Sequence, residues 1–168
     1  MARKHYGNDM SHWEASGKSD QWYTPKYIFD ALGCRFTLDV AAPQDGIGCH
    51  VPADAFFAER GLDRTWAGFV WINPPFGARN SLADWLRKFF AHGNGIALTP
   101  DRTSEPWFQA FARQSSAILF VSPKVKFERP DGTTGDSPST GTALLAAGGR
   151  ATAAILRARK LGLVVLPS

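Results

Sequence analysis

The fold of this chain is decided by one stretch, Phe69-Val70-Trp71-Ile72-Asn73-Pro74-Pro75-Phe76. Its first four residues are all apolar, which is typical of a buried strand. Proline lacks the N–H group that a central ladder needs, so the strand must end at Asn73. Open α/β sheets bind their ligands at the carboxyl ends of their strands. The stretch therefore predicts a buried strand over 69–72, followed at once by polar groups at a ligand-binding edge.

Apolar runs and helical patterns alternate along the rest of the chain. Further strands are predicted at 36–41, 95–99, 117–121, 142–147 and 163–166. Helices are predicted at 25–32, 81–91, 106–113 and 151–160. The first helix would have Thr24 as its cap and Pro25 at its first position, and would stop at Gly33. Strands that alternate with helices predict an α/β fold, a mostly parallel, doubly wound sheet with helices on both faces.

Length and composition limit the kind of protein this is. A chain of 168 residues favours a single domain, which we place at 20–168, after a flexible arm at 1–19. No apolar run reaches about 18 residues and the first 20 are polar, so we expect neither a membrane span nor a signal peptide, and we expect a cytoplasmic protein. Cys34 and Cys49 are too few for a disulfide framework or a zinc site, so no metal is expected.

The chain has a net charge of +4 and a pI of about 9.3, which suits a polyanionic partner without requiring one. The segment 122–141 breaks the alternation of strands and helices, and a loop this long is usually functional or disordered. Lys124, Lys126 and Arg129 form its best candidate basic patch, with Phe127 between them. We expect these three cations to contact nucleic-acid phosphates, the alternative being a solvated loop.

The residues that end the central strand have a specific chemical use. A planar amino group, such as the exocyclic N6 of adenine, has two N–H donors and a lone pair delocalised into its ring. If Asn73 Oδ1 and the Pro74 carbonyl accept both hydrogens, the lone pair becomes free to attack a sulfonium methyl group. Pro74 and Pro75 hold that carbonyl rigidly, and the Phe76 ring offers a face on which an extrahelical base can stack. The alternative is a strand stopped by prolines and followed by a turn.

Several motifs in a fixed order make the chain resemble the phage-type DNA N6-adenine methyltransferases. The matching pieces are DQWYTP at 20–25, LDVAA at 38–42, WAGFVWINPPFG at 66–77, ALTPDRTSEPWF at 97–108, VKF at 125–127 and SPSTGTAL at 137–144. The resemblance implies a Rossmann-like methyltransferase fold, S-adenosylmethionine as the cofactor, and DNA as the substrate. It also implies methyl transfer to N6 of adenine, by an enzyme of phage or prophage origin in a bacterial host cell.

The same resemblance implies which residues hold the cofactor. The strand that ends at Asp39 would lie against the cofactor, and the small residues Ala41 and Ala42 would let it approach the backbone closely. The segment Trp22-Tyr23-Thr24-Pro25 would hold its methionine end, because a helix N-terminus suits a carboxylate. Asn73 would border both the cofactor and the target amine. The alternatives are an Asp39 that caps the next segment, and helix capping with aromatic packing at 22–25.

One part of the predicted cofactor site departs from the family pattern. The candidates for binding the cofactor ribose are Asp54, Glu59 and Asp63. Members of the family commonly carry an acidic residue just before Gly-Leu, whereas this chain has Arg60 before Gly61-Leu62. Either Glu59 or Asp63 takes the place of that acidic residue, or the affinity for the cofactor is lower.

Arg102 follows the strand at 95–99, and we expect it to contact DNA phosphate or to position the loop around the target base. The alternative is a buried arginine that pairs with Asp101 or Glu105. Two other kinds of function remain compatible with the motifs. One is methylation of a protein glutamine or of N4 of cytosine, because these amino groups are also planar. The other is a catalytically inactive methyltransferase-like domain that binds DNA.

Overall fold

The computed structural model describes residues 22–43, 49–74, 82–136 and 139–168. The predicted arm at 1–19, together with Pro75 and Phe76, lies outside these described residues. The strands are β1 (Phe36–Asp39), β2 (Ala53–Phe56), β3 (Val70–Ile72), β4 (Gly95–Pro100), β5 (Ala117–Val121), β6 (Thr142–Ala147) and β7 (Gly162–Val165). The helices are α1 (Lys26–Leu32), α2 (Leu82–His92), α3 (Pro106–Ala112) and α4 (Gly149–Arg157), and α4 continues into a short 3-10 turn.

The strands form one sheet with the order β2-β1-β3-β4-β6-β5-β7. The half from β2 to β4 is parallel throughout. In the other half, β6 lies between β4 and β5 and runs antiparallel to both, and β7 runs antiparallel to β5. The antiparallel ladders are the longer ones, so the prediction of a mostly parallel sheet was wrong. The pattern of apolar residues identifies a strand but carries no information about its direction, which depends on how the segment at 122–141 returns the chain to the sheet.

Both faces of the sheet are covered by helices, as the sequence predicts. On one face, Phe29 of α1 and Ile155 of α4 pack with Trp71 in one buried cluster. On the other face, Leu86 of α2 and Phe108 of α3 belong to the cluster around Ile72. The central strands β3 and β4 are therefore buried on both sides, which explains why Thr99 is the one polar side chain among their residues.

Two local features differ from the sequence-based expectation. Strand β2 was not predicted, because it is an edge strand whose side chains are largely exposed and show no apolar alternation. Helix α1 is capped by Pro25 without a side-chain hydrogen bond, so Thr24 is not its cap. Its stop is as predicted, since Gly33 adopts the left-handed conformation with φ of 57°.

Within the described residues, no helix combines the length and the apolar character that crossing a membrane would require.

Candidate active site

The candidate active site lies where β1, β3 and β4 end. These strands run parallel, so their carboxyl ends share one edge of the sheet. Asp39 is the last residue of β1 and pairs in register with Trp71 of β3. Asn73 follows two residues later, directly after β3. The sheet thus brings Asp39 and Asn73 to the same edge, although they come from different strands.

Asp39 is a buried carboxylate at this edge of the sheet. Its side chain is only 3% exposed, and the Ala41 backbone N–H donates to its Oδ1 at 3.1 Å. Burial raises the pKa of Asp39 to about 7, against the opposing effect of the Ala41 hydrogen bond. A carboxylate in this state is stabilised by any cation or hydroxyl donor that reaches it. Ala41 is half-buried and Ala42 is buried beside it.

Asn73 is joined to the segment before α1. Its Nδ2 donates to Thr24 Oγ1 over 3.5 Å, a long hydrogen bond between residues 49 positions apart. Thr24 is 4% exposed, Asn73 is half-buried, and Pro74 is buried. The structure therefore unites the Asn73 amide with one of the predicted cofactor-binding segments.

The segment at 22–25 is fixed by the long loop that follows β5. Tyr23 and Glu128 form a two-way backbone bridge, with N–H to O distances of 2.8 and 3.0 Å. The Arg129 guanidinium lies over the Trp22 ring at 5.1 Å from its centroid. A Cβ on Gly135 would come within 2.4 Å of the same ring, so only glycine fits at that position. The loop thus packs directly on the predicted methionine-binding segment.

A second contact ties this loop to the chain that follows β1. His50 Nε2 lies 2.8 Å from the Glu128 carboxylate, and both side chains are about one-third exposed. Because the Glu128 backbone also pairs with Tyr23, one residue connects three separate parts of the chain. Neither His50 nor Glu128 was predicted from sequence, since a scattered histidine and a loop glutamate carry no local pattern.

The carboxyl edge of the sheet therefore combines a buried aspartate, an Asn-Pro pair and an anchored Thr-Pro segment. The family model described as DNA N-6-adenine-methyltransferase (Dam) matches residues 11–147, which include all three. The chain belongs to this family. The resemblance inferred from the sequence motifs is thereby confirmed. Neither a curated protein nor a solved structure matches the chain.

The ribose candidates of this Dam-family protein lie in different surroundings. Asp54, in β2, forms an exposed ion pair with Arg35 over 2.5 Å. Arg35 comes just before β1, at the amino end of that strand. Asp63 pairs with Arg60 at 3.1 Å, also at the surface, and Glu59 is exposed. The structure therefore does not bring Asp54 to the Asp39 end of the sheet. Glu59 and Asp63 come after the carboxyl end of β2, which is the strand next to β1. They therefore remain the candidates for binding the cofactor ribose.

An exposed aromatic residue, Phe56, also lies at this edge of the sheet. Phe56 is the last residue of β2, pairs in register with Asp39, and is 53% exposed. Phe56 lies between the acidic candidates Asp54 and Glu59 in the sequence, but only the unpredicted strand β2 places it next to Asp39.

The predicted DNA-binding cations of the Dam-family chain differ in their contacts. Arg102 is half-buried in the loop after β4. Lys124 Nζ donates to the Ser139 carbonyl at 3.0 Å, and Arg129 lies on the Trp22 ring. Lys126 is exposed and makes no hydrogen bond or ion pair with any residue that the structure describes. The loop therefore divides its cations between structural contacts and solvent.

Across the described ranges, no group of three or more His, Cys, Asp or Glu side chains is arranged to hold a metal ion. Cys34 and Cys49 are both half-buried free thiols.

Proposed function

We propose that this chain transfers a methyl group from S-adenosylmethionine to N6 of adenine in DNA. The observation that carries the proposal is the Asn73-Pro74 pair at the carboxyl end of the central strand β3, with the buried Asp39 on the neighbouring strand. Membership of the DNA N-6-adenine-methyltransferase family supports the choice of reaction and substrate.

The donor and acceptor groups at this edge fit the cofactor. Asp39 is buried, and among the described residues its carboxylate accepts one hydrogen bond, from Ala41, so it suits the ammonium or a hydroxyl group of S-adenosylmethionine. The segment at 22–25, held by the loop, would receive the methionine end. Ala41 and Ala42 would allow close approach of the backbone, and Glu59 or Asp63 would bind the ribose. When bound, S-adenosylmethionine supplies an electrophilic methyl group on a sulfonium sulfur.

The residues after β3 would prepare the amine for attack. Asn73 Oδ1 and the Pro74 carbonyl would each accept one hydrogen of the adenine amino group, which frees the nitrogen lone pair. Pro75 would keep that carbonyl rigid, and Phe76 would stack on the base after it leaves the helix. No general base is required, because the methylated nitrogen can release its extra proton to water.

The experiment is methylation of unmethylated DNA by the purified chain, with nucleosides identified by mass spectrometry. N6-methyladenine should form with the wild type, and Asn73→Ala should lower its rate by about 100- to 1000-fold. Asn94→Ala is the matched control, because the Asn94 amide donates to the Gly68 carbonyl at the opposite edge of the sheet.

Three results would overturn the proposal. Methylation of cytosine N4 or of a protein glutamine would identify another acceptor. Near wild-type turnover by Asn73→Ala would remove the assigned role of Asn73. Absence of methylation, together with DNA binding and no cofactor binding by calorimetry, would make the chain a DNA-binding domain.

A further inference from the structure

The hydroxyl of Thr24 is in a position to control the orientation of the Asn73 amide. The two side chains meet over 3.5 Å, and Thr24 is almost completely buried. Its backbone is held on one side by the Tyr23–Glu128 bridge and on the other by Pro25 at the start of α1. The Thr24 oxygen is thus a fixed point, while the Asn73 amide can present either its nitrogen or its oxygen to it.

The proposed reaction requires one of these two orientations. Asn73 must offer Oδ1 to the target amino group, so Nδ2 must point elsewhere and find an acceptor. A threonine hydroxyl has one hydrogen and two lone pairs, so it can accept from Asn73 Nδ2 while donating its own hydrogen to another group. If that hydrogen were donated to Asn73 instead, the amide would turn over and present Nδ2 to the amine.

We propose that Thr24 is a positioning residue that accepts from Asn73 Nδ2 while its own hydrogen is donated to the cofactor carboxylate. This inference rests on the proposed function. An anion is the stronger acceptor, so it takes the single hydroxyl hydrogen and leaves only the lone pairs for Asn73. Filling of the cofactor site thereby holds the Asn73 amide in the orientation that the structure shows, with Nδ2 toward Thr24, which is the one that methyl transfer needs. The long bond in the structure is expected to shorten when this occurs.

Kinetics of threonine variants give the first test. Thr24→Val keeps the shape but removes the hydroxyl, and should lower kcat about five- to tenfold with cofactor and DNA saturating. Thr24→Ser keeps the hydroxyl and should restore most of the rate. Ser115→Ala is the matched control, because it removes another buried hydroxyl, which bonds the Phe111 carbonyl near the start of β5. Thr24→Ala provides a second hydroxyl deletion if the valine variant does not fold.

A double-mutant cycle separates positioning from general packing. An aspartate at position 73 has two equivalent oxygens and no N–H to orient. In the Asn73→Asp background, Thr24→Val should therefore lower kcat much less than it does in the wild type. Equal losses in the two backgrounds would overturn the inference. So would a Thr24→Val variant whose only change is a higher KM for the cofactor, because Thr24 would then act on binding alone.

Side-chain amide NMR gives a readout that needs no turnover. The Asn73 NH2 resonances are assigned by their loss in Asn73→Asp. In the wild type, S-adenosylhomocysteine should shift them, whereas 5′-methylthioadenosine, which lacks the carboxylate, should not. In Thr24→Val, S-adenosylhomocysteine should no longer shift the Asn73 NH2 resonances. Equal shifts with both ligands, or an unchanged response in Thr24→Val, would overturn the inference even if DNA methylation is confirmed. If DNA methylation fails, the NMR result still decides whether Thr24 orients Asn73.

Discussion

The guanidinium of Arg129 lies 5.1 Å from the centre of the Trp22 ring. One of these residues was predicted to bind DNA and the other to hold the cofactor, and the structure places them in direct contact. A cation over a tryptophan face is attracted by the ring quadrupole, most strongly where water is excluded. The loop that carries the predicted DNA-binding cations therefore also packs on the segment that is predicted to hold the cofactor.

The three loop cations should accordingly differ in their effect on DNA binding. A variant with Lys124, Lys126 and Arg129 all changed to alanine should bind every DNA sequence less tightly without changing the methylated site. Lys126→Ala alone should make the slope of log affinity against log salt shallower by up to about 0.9. Arg129→Ala should also weaken cofactor binding, because it removes a support of Trp22.

These effects are measured by fluorescence anisotropy of duplex DNA at several salt concentrations, with calorimetry for the cofactor. Arg113→Ala is the control, since it removes an exposed cation at the end of α3. Superimposable salt slopes for wild type and Lys126→Ala would mean that this charge faces only solvent, and the DNA surface would then lie around Arg102.

The buried Asp39 predicts an unusual dependence of stability on pH. Its pKa in the folded chain is about 7, above its usual value of 3.8, because burial disfavours the charged form. The unfolded chain therefore loses this proton first, and stability falls as pH rises from about 4 to 7. Asp39→Asn has no titratable proton at this position, so its stability lacks this pH dependence. The free energy of unfolding of Asp39→Asn should therefore rise relative to that of the wild type between pH 4 and 7, by up to roughly 4 kcal/mol, and the difference should be constant at higher pH.

Urea unfolding from pH 4 to 8, without cofactor, measures the difference between Asp39→Asn and wild type. Asp54→Asn is the control, because it removes an exposed carboxylate on the neighbouring strand. A difference that stays constant with pH would show that Asp39 titrates like an exposed carboxyl. Added S-adenosylhomocysteine should flatten the wild-type dependence, since an ammonium beside Asp39 lowers the pKa of that carboxyl.

Gly61 should tolerate no side chain. It directly follows Arg60, the position where family members commonly carry an acidic residue. A Cβ on Gly61 would lie 2.0 Å from the Val40 carbonyl oxygen and 2.9 Å from the Trp85 ring. Gly61→Ala should therefore destabilise the fold by about 1–3 kcal/mol. Gly149→Ala is the matched control, because no atom lies within 4 Å of its added Cβ. Thermal or urea unfolding measures both, and equal stabilities would contradict the close packing of this turn on β1.

Phe76 should act through its aromatic face. Phe76→Ala should weaken binding of the extrahelical base, whose stacking contributes roughly 1–3 kcal/mol, whereas Phe76→Trp and Phe76→Tyr should retain activity. The measurement is kcat/KM for DNA in the three variants. Equal losses in all three would indicate core packing instead of stacking.

The amino-acid sequence alone determined most of the elements and the place where the central strand ends. The apolar run at 69–72 and the prolines that end it are local features, and local features can be read from neighbouring residues. The tertiary structure alone decided that β6 enters the sheet antiparallel, that β2 exists beside β1, that Thr24 contacts Asn73, and that Glu128 contacts His50. These relationships depend on hydrogen bonds and packing between residues far apart in the chain, for which no short stretch of sequence carries a pattern.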